Sequence, residues 1–235
     1  MLKHIKIKLA GLNIDIEYLS DRIAGLCRNY AADFSVPDIK VRYDKAGCEK
    51  EASAGRFSAA AAEFSNIYRQ IAEALPRFSG AVTHGATVSY KGNAYMFIAK
   101  SGTGKTTHIN LWRQYFDGVG VINGDKPILR VSDKVLAYGT PWAGKERLEN
   151  NTSAPLGGIC VIKRAEKNSI RRLEPQEALT AIIKQVYMPA DPAALDLTVK
   201  IFDDIIRLVP FYELSCNISR EAAELSFNTL TGKKI

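Results

Sequence analysis

The chain opens on alternation. From His4 to Tyr18, "HIKIKLAGLNIDIEY" sets apolar residues at every second position on both sides of Gly11, which predicts two strands around a short turn. "SDRIAGLCRNYAA" then changes to helical spacing behind a Ser20/Asp21 cap, and "DIKVRYD" returns to strand. Ser58 to Leu75 is alanine-rich with apolar residues at helical intervals, and Pro76 is expected to end that helix. Residues 1–79 therefore predict an α+β N-terminal part.

The texture changes near Gly80. "GATVSYKGNAYMFIAK" reads as two strands around the turn Lys91-Gly92-Asn93, and the run "AYMFIA" is apolar throughout, as in a strand buried on both faces. "KTTHINLWRQYF" continues with helical spacing at Ile109, Trp112 and Phe116. "GVGVI", "PILRVS", "VLAYG" and "LGGICVIKR" read as further strands, with "NGDKP" a turn between the first two. "IKRAEKNSIRRL" reads as a hairpin with no chemistry assigned, "PQEALTAIIKQVYM" as a helix, and two more helices are expected near Asp196–Leu208 and Ser219–Leu230. The expectation is an α/β fold in residues 80–235: a mixed sheet carrying a phosphate loop, with a helical C-terminal end.

Composition narrows the class. With 235 residues, 46% of them hydrophobic and 24% charged, the chain can bury a full core. Lysines through Lys8 interrupt the apolar core that a signal peptide needs, and no segment approaches the roughly 18 apolar residues of a membrane span, so the cytoplasm is the expected location. Cys27, Cys48, Cys160 and Cys216 show no paired spacing and are read as reduced thiols. The net charge of +7 is compatible with nucleic acid, an acidic surface or a polyphosphate ligand, but it is not gathered into one long basic block and reads mainly as solvated surface, which disfavours nucleic acid.

The candidate chemistry lies in "FIAKSGTGKTTHINLW", Phe97 to Trp112. Gly104-Lys105-Thr106 matches the end of a phosphate loop, but Ala99 stands where the first glycine is usual. Gly102 and Gly104 let backbone N–H groups of Ser101, Thr103 and their neighbours converge on phosphate oxygens, the following helix adds positive potential through Thr107, and Lys105 supplies a point charge. Thr106 offers a hydroxyl to magnesium. Asp125, just after a buried strand, is placed to bind magnesium or to take a proton from an attacking hydroxyl, although "NGDKP" also has the composition of a plain turn. In "YGTPWAGKERLENN", Lys145 and Arg147 are candidates to meet anionic oxygens from a loop folded over a ligand. Trp142 would either stack on a base or anchor that loop in the core.

On these residues the chain resembles the phosphoenolpyruvate carboxykinase and HPr serine kinase superfamily. "SGTGKTT" looks like its kinase loop, Thr83-His84-Gly85 stands where HPr kinases carry a His-Gly pair, and "VGVINGDKPILR" occupies the place of a strand ending in aspartates. The resemblance covers roughly Gly80 to Leu173. Where HPr kinases have Asp-Asp, this chain has Gly124-Asp125. The smaller HPr-kinase-like proteins, including those encoded beside peptide-maturation cassettes, are the more similar group, because the large N-terminal domain of true HPr kinases has no counterpart here.

The resemblance implies a phosphotransferase scaffold, a role for His84 near the γ-phosphate, and ATP or another purine nucleoside triphosphate with Mg²⁺. The expected function is transfer of the γ-phosphoryl group to a hydroxyl, on serine of a peptide or protein or on a small serine-like metabolite. The competing expectation is a nucleotide-dependent peptide- or protein-binding module without transfer. Carboxykinase activity on oxaloacetate is disfavoured, since no counterpart to the substrate motifs of those enzymes is found. Assembly as a homo-oligomer is left open.

Overall fold

A computed structural model describes residues 1–53 and 58–233. The opening alternation forms β1 (Lys3–Leu9) and β2 (Leu12–Tyr18), an antiparallel pair in the register Ile7↔Ile14 that turns Ile7, Leu9, Ile14 and Ile16 inward. Helix α1 (Asp21–Cys27) starts at Ser20, whose hydroxyl accepts from the Arg22 N–H, and β3 (Ile39–Val41) joins β2 in parallel. The pattern gave no sign of α2 (Lys45–Ser53), in which Cys48 is the buried residue. Helix α3 (Ala59–Ala74) begins at the Ser58 cap. Pro76 does not stop the chain at once; it sits in a single 3₁₀ turn, Leu75–Phe78, near whose start its missing N–H costs no bond.

The remainder runs β4 (Gly80–Val82), β5 (Ala86–Tyr90), β6 (Asn93–Ile98), α4 (Lys105–Tyr115), β7 (Gly120–Asn123), β8 (Ile128–Val131), β9 (Val135–Tyr138), β10 (Ser153–Arg164), β11 (Ser169–Arg172), α5 (Pro175–Ile183), α6 (Pro192–Leu208), β12 (Phe211–Cys216) and α7 (Arg220–Thr231). Strands β4 to β12 form one mixed sheet, in the order β4-β8-β9-β10-β6-β5-β7 with β12 and then β11 beyond the other edge of β10. Strand β10 takes part in three ladders. Its start, Ser153–Pro155, pairs antiparallel with β9, while its later part runs parallel to β6 on one side and to β12 on the other.

Two expectations are corrected here. β10 and β11 do not make a hairpin: β12, which follows α6 and was not foreseen, takes the place between them, parallel to β10 and antiparallel to β11. Its buried Phe211, Leu214 and Cys216 suit an interior strand, and this long-range pairing wins over the short polar connection. The helix expected to reach Met188 ends at Ile183, and the chain then crosses to bridge Thr83 through Val186.

Helices cover both faces of the sheet. On one side α5 and α6 pack Ile182, Phe202 and Ile205 against Met96 and Ile159; on the other α4 and α7 pack Trp112 and Phe227 against Phe97 and Leu214. Burying an aromatic side chain of this size removes on the order of 200 Å² from water, about 5 kcal/mol before entropy is counted. Helix α4 is also keyed to α7 by one hydroxyl. Ser226 Oγ accepts from Trp112 Nε1 at 2.9 Å, lies 2.8 Å from His108 Nε2, and donates to the Ala223 carbonyl. A third cluster joins β1, β2 and α3 to Val82, Ile128 and Trp142, so apolar packing runs across the boundary at residues 79 and 80. All four cysteines are free and buried. Among the described residues no helix is long and apolar enough to cross a membrane.

Candidate functional site

Strand order sets out the site. In the run β10-β6-β5-β7, β5 is antiparallel to both of its neighbours, so its first residues lie beside the last residues of β6 and β7, in the pairs Ala86↔Phe97 and Thr87↔Asn123. The segment entering β5 carries His84, the segment leaving β6 is the phosphate loop, and the segment leaving β7 carries Asp125. On the other flank Val161 of β10 pairs with Ile98, which brings Arg164 to the same edge. Four stretches distant in sequence thus meet at one end of the sheet, where ligands of parallel α/β sheets commonly bind.

The loop has the backbone its glycines allow. Gly102 and Gly104 take φ of 77° and 125°, values an L side chain rarely adopts, whereas Ala99 is not in the left-handed region and its Cβ is accommodated. This accounts for the tolerated loss of the first glycine. Lys105, 8% exposed, folds back so that its ammonium donates to the Ala99 carbonyl at 3.0 Å. Burial pushes its pKa down from the ordinary lysine value; the Asp125 charge opposes that shift and the Lys126 charge adds to it. From outside, the exposed Arg164 donates Nε to the Thr103 carbonyl at 3.0 Å and Nη2 to the Gly102 carbonyl. Within the loop the Thr103 N–H is spent on the Lys100 carbonyl at 3.1 Å, which leaves the amides of Ser101, Gly102 and Gly104 as the ones that can meet an anion.

Across the cleft, His84 Nε2 lies 3.2 Å from Asp125 Oδ1. Backbone bonds fix the pair, since the His84 N–H reaches the Gln185 carbonyl and the Gly85 N–H donates to the Asp125 carbonyl at 2.9 Å. Gly85 is needed for space: a Cβ there would stand 2.4 Å from Met96 Cε and 3.0 Å from the Phe97 carbonyl oxygen. Burial alone would raise the Asp125 carboxyl, but the His84 hydrogen bond and the charges of Lys126, His84 and Lys105 outweigh it and leave its pKa below the usual aspartate value. Asp125 is therefore ionised at neutral pH.

What aims Asp125 is a buried side chain that sequence reading passed over. Asn123, fully buried at the end of β7, accepts through Oδ1 from the N–H groups of Asp125 (2.8 Å) and Lys126 (2.7 Å), and donates through Nδ2 to the Thr140 carbonyl (2.9 Å). Thr140 Oγ1 in turn donates to the Lys126 carbonyl at 2.7 Å and accepts from the Trp142 N–H. "NGDKP" is thus a turn, and one that leaves the Asp125 side chain lining the cleft. An asparagine at a strand end before Gly-Asp is a recognisable side-chain turn signal. Nothing local could have revealed Arg164, because its position depends on the pairing of β10 with β6.

A cavity of ≈ 540 Å³ joins these parts, lined by His84, Ser101, Gly102, Gly104, Lys105, Thr106, Thr107, Asp125 and the exposed Lys145, among others. Thr103 faces the adjoining grooves, beside Arg164. Arg147 is not brought to this cleft; it pairs with Glu149 (Nε to Oε1, 3.0 Å) and lines a neighbouring cavity. Trp142 anchors its loop, stacked on Phe64 with centroids 5.4 Å apart. His108 is buried against Ser226 and is structural.

The Thr106 hydroxyl and the Asp125 carboxylate are hard oxygen donors on one cleft, a set that fits magnesium arriving with a polyphosphate and completing its shell with phosphate and water. Among the described residues there is no group of three or more His, Cys, Asp or Glu placed to cage an ion. A side chain directly beside Asp125 would be crowded: a Cβ on Gly124 would come within 3.1 Å of Leu148 Cβ, while Glu146 supplies a second carboxylate to the lining of the cavity.

No protein-family model matches the chain, and no curated protein matches it. Among solved structures it is similar to the Hpr(Ser) kinase/phosphatase from Coxiella burnetii, at 10% identity and a TM-score of 0.37, over 64% of this chain and 88% of that one. At that identity and score the likeness is distant, and the residue assignments rest on the cleft itself.

Proposed function

We propose that this chain is a nucleoside-triphosphate-dependent phosphotransferase that passes the γ-phosphoryl group to a hydroxyl, with magnesium as the accompanying cation. The observation that carries this reading is an ionised, histidine-held carboxylate facing a phosphate loop across one cleft. The loop amides of Ser101, Gly102 and Gly104 and the Lys105 ammonium hold the β- and γ-phosphates. Thr106 and Asp125 would hold magnesium, which supplies charge neutralisation on the phosphate oxygens when bound. The acceptor oxygen bonds to the γ-phosphorus, the bond from that phosphorus to the bridging oxygen breaks, and nucleoside diphosphate leaves. Asp125 takes the hydroxyl proton, and His84, its Nε2 engaged by that carboxylate, orients it. Little further chemistry is needed, because such transfer depends mainly on positioning and charge.

A second reading, nucleotide-dependent binding of a peptide or protein without transfer, is favoured by the absence of an aspartate at position 124 beside Asp125. Nucleotide titration together with γ-labelled ATP, magnesium and hydroxyl acceptors (serine and short serine peptides) separates the two. Transfer of label supports the phosphotransferase. Bound nucleotide with every acceptor unlabelled favours the second reading. Lys105→Ala is expected to weaken ATP binding by ~10-fold or more with the fold intact; unchanged affinity in the folded variant would remove the phosphate-loop assignment.

A further inference from the structure

Asp125 and Gly144 belong to two cavities. Besides the phosphate cleft they line a second, of ≈ 440 Å³, enclosed by α1, α3 and the loop around Trp142. That volume lies in the range of small-molecule sites, roughly 300–1,000 Å³. One wall is aromatic: Phe64 stacks on Trp142 at 22°, and Tyr68 meets Trp142 edge-on at 5.5 Å. Burial raises the Tyr68 phenol pKa, and the Asp125 charge raises it further, which places the carboxylate against the same wall. The remaining charged lining is cationic. Arg147 is paired with Glu149 and Lys126 sits over the Tyr68 ring at 5.8 Å, while Arg22, exposed at the mouth, has no ion-pair partner among the described residues.

We propose that this second cavity holds the phosphoryl acceptor, a small hydroxy acid with a planar apolar body. Its ring lies against Phe64, Tyr68 and Trp142, its carboxylate meets Arg22, and its hydroxyl reaches Asp125 at the junction of the two cavities. This rests on the phosphotransferase reading and names its acceptor class. An apolar wall, two cations without an ion-pair partner among the described residues (Arg22 at the mouth and Lys126 over Tyr68) and a proton-accepting carboxylate together describe such a molecule, and serine alone lacks the body to fill the space. The covalent step is unchanged: the acceptor hydroxyl loses its proton to Asp125 and its oxygen takes the γ-phosphoryl group from the nucleoside triphosphate.

The test is calorimetric titration of the full chain, with a non-hydrolysable ATP analogue and magnesium present, using 3-phenyllactate, 4-hydroxyphenylacetate and serine as probes. At least one aromatic acid is expected to bind more tightly than serine. Ser65→Trp, which fills the cavity from α3, is expected to abolish that binding, and the surface change Arg22→Gln to weaken it ~10-fold, the scale of one charge-assisted contact, both without effect on nucleotide affinity. Failure of both aromatic acids to bind, equal binding of serine, or binding indifferent to Ser65→Trp and Arg22→Gln overturns the proposal. Labelling with γ-labelled ATP separates the two claims. Aromatic acids that bind in this way but never become labelled leave the cavity assigned and sink phosphotransfer, whereas peptides labelled equally by wild type and Ser65→Trp sustain phosphotransfer and remove the cavity.

Discussion

The two walls of the phosphate cleft are built on different principles. One is a single run from Ile98 to Thr107, whose shape follows from its own glycines and from the helix it starts. The other is assembled from His84, Asp125 and the loop after β9, and it depends on the buried side chains of Asn123 and Thr140. The contiguous wall offers backbone amides and one cation, which under the proposed function would bind phosphate without proton chemistry. The assembled wall carries the carboxylate and the imidazole. Binding and chemistry are thus separated across the cleft, and substitutions can address each by itself.

The sharpest break is Asp125→Asn. It keeps the turn while removing the charge, so phosphoryl transfer is expected to fall by ~10²-fold or more while metal-free nucleotide binding survives; transfer at the wild-type rate would show that the assembled wall does not act. Next comes Asn123→Ala, which strands the buried Asp125 and Lys126 N–H groups and the Thr140 carbonyl. A stability loss of about 1–3 kcal/mol is expected in denaturant titration, together with a drop in kcat of ~10-fold that nucleotide affinity does not share. A matching loss of nucleotide affinity would mean the two walls are not independent. Arg164→Ala tests the converse: nucleotide affinity should fall by roughly 3- to 10-fold, about the worth of the lost charged hydrogen bonds at an exposed site, with transfer from bound nucleotide nearly unaltered. The smallest effect belongs to Ala99→Gly, expected within about twofold of wild type in nucleotide affinity, since nothing in the backbone at that position calls for glycine.

The same division explains what could be read in the sequence. Alternation and helical spacing located β1, β2, β5, β6, α3 and α4, because each buries its own periodic face. The strand-loop-helix order around Gly102 and Gly104 was legible for the same reason, since it is local. The short strand β4 and the helix α2 carry too little apolar signal, and β12 was hidden because its place between β10 and β11 is decided by partners about 40 to 50 residues upstream, not by its own pattern. Asp125 and His84 were found as single residues, but not the asparagine that aims one of them, nor the glycine packing that brings the other over the cleft. Lys145 reaches the cleft rim and Arg147 does not, a difference that their shared loop gives no means of foreseeing.

The hydroxyl that joins α4 to α7 fixes a proton inventory. Ser226 spends its only hydrogen on the Ala223 carbonyl and already accepts from the Trp112 indole, so His108 must present Nε2–H to it and remain a neutral imidazole with Nδ1 bare. Burial agrees, lowering the His108 pKa to about 4. Because the folded value lies below that of the unfolded chain, this histidine's contribution to stability is complete above about pH 6.5 and is lost as the pH falls toward 4, by roughly 3 kcal/mol at that point. The helix that begins at Lys105 is thus docked through a contact that acid opposes, and because the His108 N–H also donates to the Gly104 carbonyl at 2.9 Å, acidification is expected to disturb the glycine loop from the helix that follows it.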